Sequence, residues 1–258
     1  MPDRIRNGIV KIERSAKKLP TPLRQIGLGM VGFFTRMLGS ITSVETRQPV
    51  VALTLDDGPD PEVTPKVLDL LNERGIKATF FILSERAEAH PELARRLVAE
   101  GHEAALHGAN HDNLTNLGMG QAVERVRGGR RRLNQVVGSP VRLFRPPYGA
   151  QNLRTFALSR LAGMKVVMWS ADPNDWDEIG LEEIVARTIH QVVPGGILLL
   201  HDGWTPDPNG DGSRPTGDKI EVIKAILDAL DGAGLTLTTV SDLLKSSPAR
   251  KRVWFESG

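Results

Sequence analysis

From Pro49 onward, short apolar runs alternate with amphipathic stretches along the chain. Seven runs have the length and side chains of strands: residues 49–55, 77–83, 102–106, 141–145, 164–169, 196–200 and 235–239. Between them, apolar residues recur at helical spacing. Val67, Leu68 and Leu71 follow a Thr64-Pro65 start and stop before Gly75, and Leu93 and Leu97 lie between Pro91 and Gly101. Val123, Val126, Leu133 and Val137 mark a longer helix begun by Thr115 and weakened by Gly128 and Gly129. Ile184, Val185, Thr188 and Val192 form another stripe, and Ile220, Ile223, Leu227 and Leu230 the last. Strict alternation of strand and helix predicts parallel pairing through right-handed crossovers. The count of seven suits an α/β barrel of about seven parallel strands better than an open sheet.

Polar clusters follow five of these strands. Asp56-Asp57 comes after the first, His107 after the third, Arg145 after the fourth, Asp172 to Trp176 after the fifth, and His201 after the sixth. In a parallel barrel all strand C-termini open on one face, so clusters distant in sequence converge there. His107 and His111 stand four apart and can offer two imidazoles to one ion from a helical turn or a tight loop. With Asp57 they make a two-nitrogen, one-oxygen donor set that leaves positions open for water and substrate. Zinc is the first expectation, and Co2+, Ni2+ or Mn2+ also suit such ligands. Asp56 is then placed to take a proton from water at the ion. Arg145 offers a guanidinium to orient a carboxylate, and the two prolines of Arg145-Pro-Pro-Tyr-Gly149 stiffen a loop whose later N–H groups can face an oxyanion. An Asp-paired His201 would keep its proton near neutral pH and donate it to a leaving group, and Trp176 with Leu199 would give an apolar wall for a small acyl methyl.

The chain has 258 residues, no cysteine and a formal charge of +2. It can bury a large core, and disulfides, thiolate zinc clusters and a Cys nucleophile are excluded. Nine basic side chains against three acidic ones crowd residues 1–48, so the remainder is net acidic by four. We therefore expect a basic N-terminal extension over 1–48, a catalytic domain over 49–246 and a basic tail over 247–258. The uncharged stretch 25–35 is too short to span a bilayer, which takes about 20 apolar residues. It suits a packed outer helix, the apolar part of a secretory signal, or weak contact with a membrane surface. Three further patterns are weak. Gly27-Leu-Gly-Met-Val-Gly32 has dinucleotide-loop spacing with no strand before it, and Asp207 to Gly212 with Asp218 only approaches a calcium loop. The arginines from Arg125 to Arg132 spread around a helix without aromatic partners, so no nucleic-acid partner is expected.

In order along the chain, TLDDGP, HGANH, RPPYG, DPNDW and LLLHDG resemble the five motifs of the polysaccharide deacetylase family, carbohydrate esterase family 4, over roughly residues 50–245. The resemblance implies a distorted (β/α) barrel and metal-dependent removal of acetyl groups from N-acetylglucosamine glycans such as peptidoglycan or chitooligosaccharides. By position, Asp57, His107 and His111 resemble the metal ligands and Asp56 the general base. Arg145 resembles the residue that orients that base, His201 the general acid and Asp175 its partner. The Tyr148 backbone resembles the oxyanion donor, and Trp176 with Leu199 the acetate pocket. Gly108 departs from the family, which usually has Ser or Thr there, so a supporting hydrogen bond to the loop is lost. O-acetyl esterase activity on acetylated polysaccharide is an alternative for the same residues, and a metal-free carbohydrate-binding pseudoenzyme is another. A cell-envelope or secreted location is favoured over a cytoplasmic one.

Overall fold

The computed structural model describes residues 39–176, 179–205 and 218–255. All seven expected strands form: β2 (Val50–Asp56), β3 (Thr79–Ile82), β4 (Glu103–Leu106), β5 (Leu143–Phe144), β6 (Lys165–Val166), β7 (Ile197–His201) and β8 (Thr236–Thr238). They make one parallel sheet in the order β6-β5-β4-β3-β2-β7, with β8 pairing only the start of β2. Past β6 the chain reaches β7 irregularly, Ser170 N–H donating to the Ile197 carbonyl (2.9 Å) and Leu199 N–H to that of Ala171 (3.0 Å). The result is the distorted (β/α) barrel expected.

Alternation along each strand divides the apolar side chains into two layers. Val51, Leu53, Leu55, Phe80, Ile82, Leu198 and Leu200 face the helices, whereas Ala52, Phe81, Ala105, Leu143, Val167 and Ile197 fill the barrel. Each large side chain so buried contributes about 1.5–3 kcal/mol. The same alternation turns Asp56 inward, and the β2–β7 register sets it beside His201. Sheet pairing alone thus brings together two polar groups 145 positions apart.

Two strands fall where no strand was expected. β1 (Ser40–Val44) pairs antiparallel with β9 (Ala249–Arg252), and the Ile41 carbonyl accepts Met168 N–H at 2.7 Å. Ile41 and Val44 are buried in the barrel layer. Their partner is over 200 residues away, and Ala-Arg-Lys-Arg carries no strand pattern.

The helices are α1 (Thr64–Glu73), α2 (Ser84–Ala89), α3 (Pro91–Ala99), α4 (Met119–Val123), α5 (Gly129–Val137), α6 (Leu153–Leu161), α7 (Leu181–Gln191), α8 (Lys219–Gly232) and α9 (Val240–Ser246). α4 starts at Met119, later than expected, because Thr115 is held in a turn by the Asn113 side chain. The weakening at Gly128 takes the form of a wide π turn over Glu124–Gly128 that joins α4 to α5. Among the described residues no helix is long and apolar enough to cross a membrane. The uncharged stretch 25–35 with Gly27 to Gly32, and the Asp207 to Gly212 segment, lie outside the described residues. The arginine run is tied to the fold: Arg125 pairs with Asp112 (2.6 Å), Arg132 with Glu124 (2.7 Å), and Arg130 donates to the Val141 carbonyl.

Candidate active site

The expected side chains meet at the C-terminal ends of the barrel strands. Asp57 Oδ1 lies 3.3 Å from His107 Nε2 and 3.3 Å from His111 Nε2. Donors about 2.0–2.1 Å from a tetrahedral ion are about 3.3 Å apart, so the spacing fits a single cation. Asp57 Oδ1 is buried and has no hydrogen-bond partner, a costly state for a carboxylate oxygen that an ion would relieve. His107 Nδ1 is 2.9 Å from the Arg145 carbonyl, and an N–H there leaves a lone pair on Nε2 for the ion. Burial pushes the His111 imidazole down to about 4 despite the nearby Asp57 charge, so it is neutral and able to ligate at pH 7. Burial alone would raise the Asp57 carboxyl, but the adjoining His107, His111 and His201 rings outweigh it and hold the carboxyl well below the usual range.

The His pair rides on a tight loop instead of a helix. Gly108 has φ +95° and His111 φ +66°, a region that strains residues with a side chain. Glycine therefore suits position 108 irrespective of side-chain hydrogen bonding, and the loop is oriented through His107 and the Arg145 carbonyl. Gly58 and Gly203 lie where the loops after β2 and β7 cross. A Cβ on Gly58 would stand 2.3 Å from Asp202 Oδ2, and one on Gly203 would stand 2.6 Å from the Asp57 carbonyl carbon.

Asp56 is buried beside the donors, its Oδ2 3.7 Å from His107 Nε2. Its Oδ1 accepts a 2.6 Å hydrogen bond from Arg145 Nη1. Arg145 is fully buried, and the structure shows how. Its Nη1 also donates to Thr54 Oγ1 (2.9 Å), Nη2 to the Met168 carbonyl (3.1 Å) and Nε to the Val167 carbonyl (3.3 Å). The guanidinium carbon sits 4.0 Å from the Phe81 ring centroid. A planar fork with fixed donors fills such a slot where a lysine would not.

On the opposite side His201 Nδ1 lies 2.7 Å from Asp175 Oδ1. Burial by itself would lower the imidazolium, yet the Asp175 charge and hydrogen bond reverse this and push it up to about 9. Burial opposes ionisation of Asp175 as well, but His201 and Lys219 hold its carboxyl down to about 2. The Trp176 indole stands edge-on to His201, ring centroids 4.8 Å apart, and Leu199 points inward two residues before His201. Tyr148 has φ +60° and places its ring 4.3 Å from that of His111.

Four contributors escaped the sequence reading. Thr205 Oγ1 donates to Asp57 Oδ2 at 2.5 Å, leaving Oδ1 toward the histidines. Arg86 clamps two loops by donating to the Asp57 carbonyl (2.9 Å) and the Trp204 carbonyl (2.5 Å). Asp202 is buried under Gly58 and bonded to Thr64 Oγ1 (2.6 Å). Burial and the charges of Asp57 and Asp56 push it up to about 7 against that bond. The fourth is Lys219 beside Asp175. Only the Asp202 position carried a signal, as the last acid in LLLHDG; the others come from loops or helices with no motif spacing.

A (β/α) barrel with an Asp-His-His donor set and a second carboxylate at its strand C-termini belongs to the class of metal-site hydrolase barrels. The chain is a member of the polysaccharide deacetylase family, carbohydrate esterase family 4, whose model matches residues 43–167. A chitooligosaccharide deacetylase of Sinorhizobium fredii is 36% identical over 197 residues, 76% of this chain and 92% of that protein. A peptidoglycan-N-acetylglucosamine deacetylase of Bacillus cereus is 36% identical over 204 residues, 78% of this chain and 91% of that protein. The crystal structure of the Bc1960 peptidoglycan N-acetylglucosamine deacetylase, in complex with an N-hydroxybenzamide compound, superposes with a TM-score of 0.73 at 28% identity, covering 84% of this chain and 98% of that one.

Proposed function

We propose that the protein is a metal-dependent hydrolase that removes acetyl groups from N-acetylglucosamine-containing glycans such as peptidoglycan or chitooligosaccharides. The observation that carries the reading is the unpartnered Asp57 Oδ1, equidistant from two imidazole nitrogens and flanked by a separate Arg-held carboxylate. Asp57, His107 and His111 would hold the ion, with Zn2+ the first expectation for such an N/O set and Co2+, Ni2+ or Mn2+ also compatible with it. When bound, a divalent cation supplies Lewis acidity, polarising the acetamide carbonyl and easing deprotonation of a water.

The remaining work falls to side chains and backbone. Asp56 takes the proton of the attacking water, its lone pairs aimed by Arg145. Oxygen adds to the acyl carbon while the Tyr148 N–H donates to the carbonyl oxygen as negative charge develops. His201 protonates the departing nitrogen, the C–N bond breaks, and acetate and free amine result. Leu199 and Trp176 bound the acetyl methyl.

An amine leaves poorly unless protonated, and an imidazolium near 9 is charged at neutral pH. This favours N-deacetylation over O-acetyl ester cleavage, in which an alkoxide leaves more readily. A metal-free pseudoenzyme is disfavoured by the complete donor set. The test is acetate release from chitooligosaccharides, peptidoglycan and acetylated xylan, with and without chelator. We expect chelator-sensitive release from the first two, and release from xylan alone would overturn the assignment.

A further inference from the structure

We propose that Lys219 is a positioning residue for the His201–Asp175 pair, holding the Asp175 carboxylate in the one orientation that keeps His201 aimed as an acid. The inference rests on the deacetylase reading above. Lys219 Nζ donates to Asp175 Oδ2 (3.0 Å) and to the Asp175 backbone carbonyl (2.9 Å). The His201 backbone N–H donates to the same Oδ2 at 3.0 Å, and His201 Nδ1 meets Oδ1 at 2.7 Å. Both carboxylate oxygens are thereby assigned. One serves the ring, and the other is held by a cation and a peptide.

Without Lys219, Oδ2 would keep only the neutral His201 peptide donor, and the fully buried carboxylate would lose the charged anchor that most strongly opposes its rotation about χ2. The location of the lysine points the same way. Lys219 opens the 14-residue helix α8, directly after the Asp218 cap. A cation is disfavoured at a helix N-terminus, where the dipole is positive. Its ammonium turns from the helix axis into the site, where only 18% of the side chain is exposed.

The zinc-loaded protein and its Lys219→Met variant would be compared on an N-acetylated chitooligosaccharide and on 4-nitrophenyl acetate. The nitrophenolate departs without protonation, so only the amide needs the acid. We expect kcat on the amide to fall about tenfold, ester turnover to change less than about twofold, and the downfield His201 Nδ1 proton resonance to broaden or vanish. An equal loss on both substrates, no loss on the amide, or an unchanged resonance would overturn the proposal. If wild type releases no acetate, the deacetylase reading fails, and the resonance still decides the role of Lys219. Should Lys219→Met not fold, Lys219→Gln, which keeps a donor and loses the charge, takes its place.

Discussion

Replacing Asp56 by Asn separates proton transfer from metal binding, because the two adjacent carboxylates are held by different partners. Asp57 faces His107 and His111, whereas Asp56 faces Arg145. In Asp56→Asn the amide oxygen can still accept from Arg145, and the amide nitrogen replaces Oδ2 near His107. Charge and basicity vanish while volume is kept. General-base catalysis contributes about 10²–10⁴-fold, so kcat should fall by that factor, about 3–5 kcal/mol of barrier. The 2.6 Å charge-assisted bond becomes a neutral one, and Arg145 keeps Thr54 and two carbonyls. We expect a loss of about 1–3 kcal/mol of stability, smaller than the 3–5 kcal/mol of truncating a buried pair. For a domain of this size that lowers Tm by about 2–12 °C. Metal content by mass spectrometry should equal that of wild type. A variant that turns over within threefold of wild type would show that Asp56 is not the base, and one that purifies without metal would make Asp56 a ligand.

Three further outcomes follow from the geometry. Arg145→Lys keeps a cation but cannot bond Thr54, Asp56 and two carbonyls at once; we expect metal retained, kcat down at least tenfold and a clear loss in Tm, and wild-type kinetics would refute the orienting role. Gly58→Ala would drive a methyl to 2.3 Å from Asp202 Oδ2, and overpacking of this kind costs about 1–3 kcal/mol; an unchanged denaturation midpoint would contradict the packing. His201 is raised in the fold from 6.5 to about 9, so the folded state binds more protons than the unfolded one between those values. That stabilisation is complete below pH 6.5 and is lost as pH rises through 9, and urea midpoints should show the decline in wild type but not in Asp175→Asn.

Asp56, His107, Arg145 and His201 were legible because each directly ends or follows a short apolar strand. Strand ends are marked in one dimension by a change from apolar to polar. Arg86, Thr205 and Lys219 carry no such mark. Their side chains reach the site from a helix or loop whose own pattern reports only local burial. β1 and β9 stayed hidden for a related reason, since pairing between segments over 200 residues apart leaves no period in either.

The chain by itself determined the parallel alternation, the seven barrel strands and the residue types of the site, because hydrophobic period and strand termini are local properties. Tertiary structure decided what is relational. The parallel register placed Asp56 beside His201, loop closure brought Asp57 to 3.3 Å from both imidazoles, and Thr205 left Asp57 Oδ1 facing them. Distances between side chains on different strands depend on register, twist and loop path, and these are set only when the whole core packs.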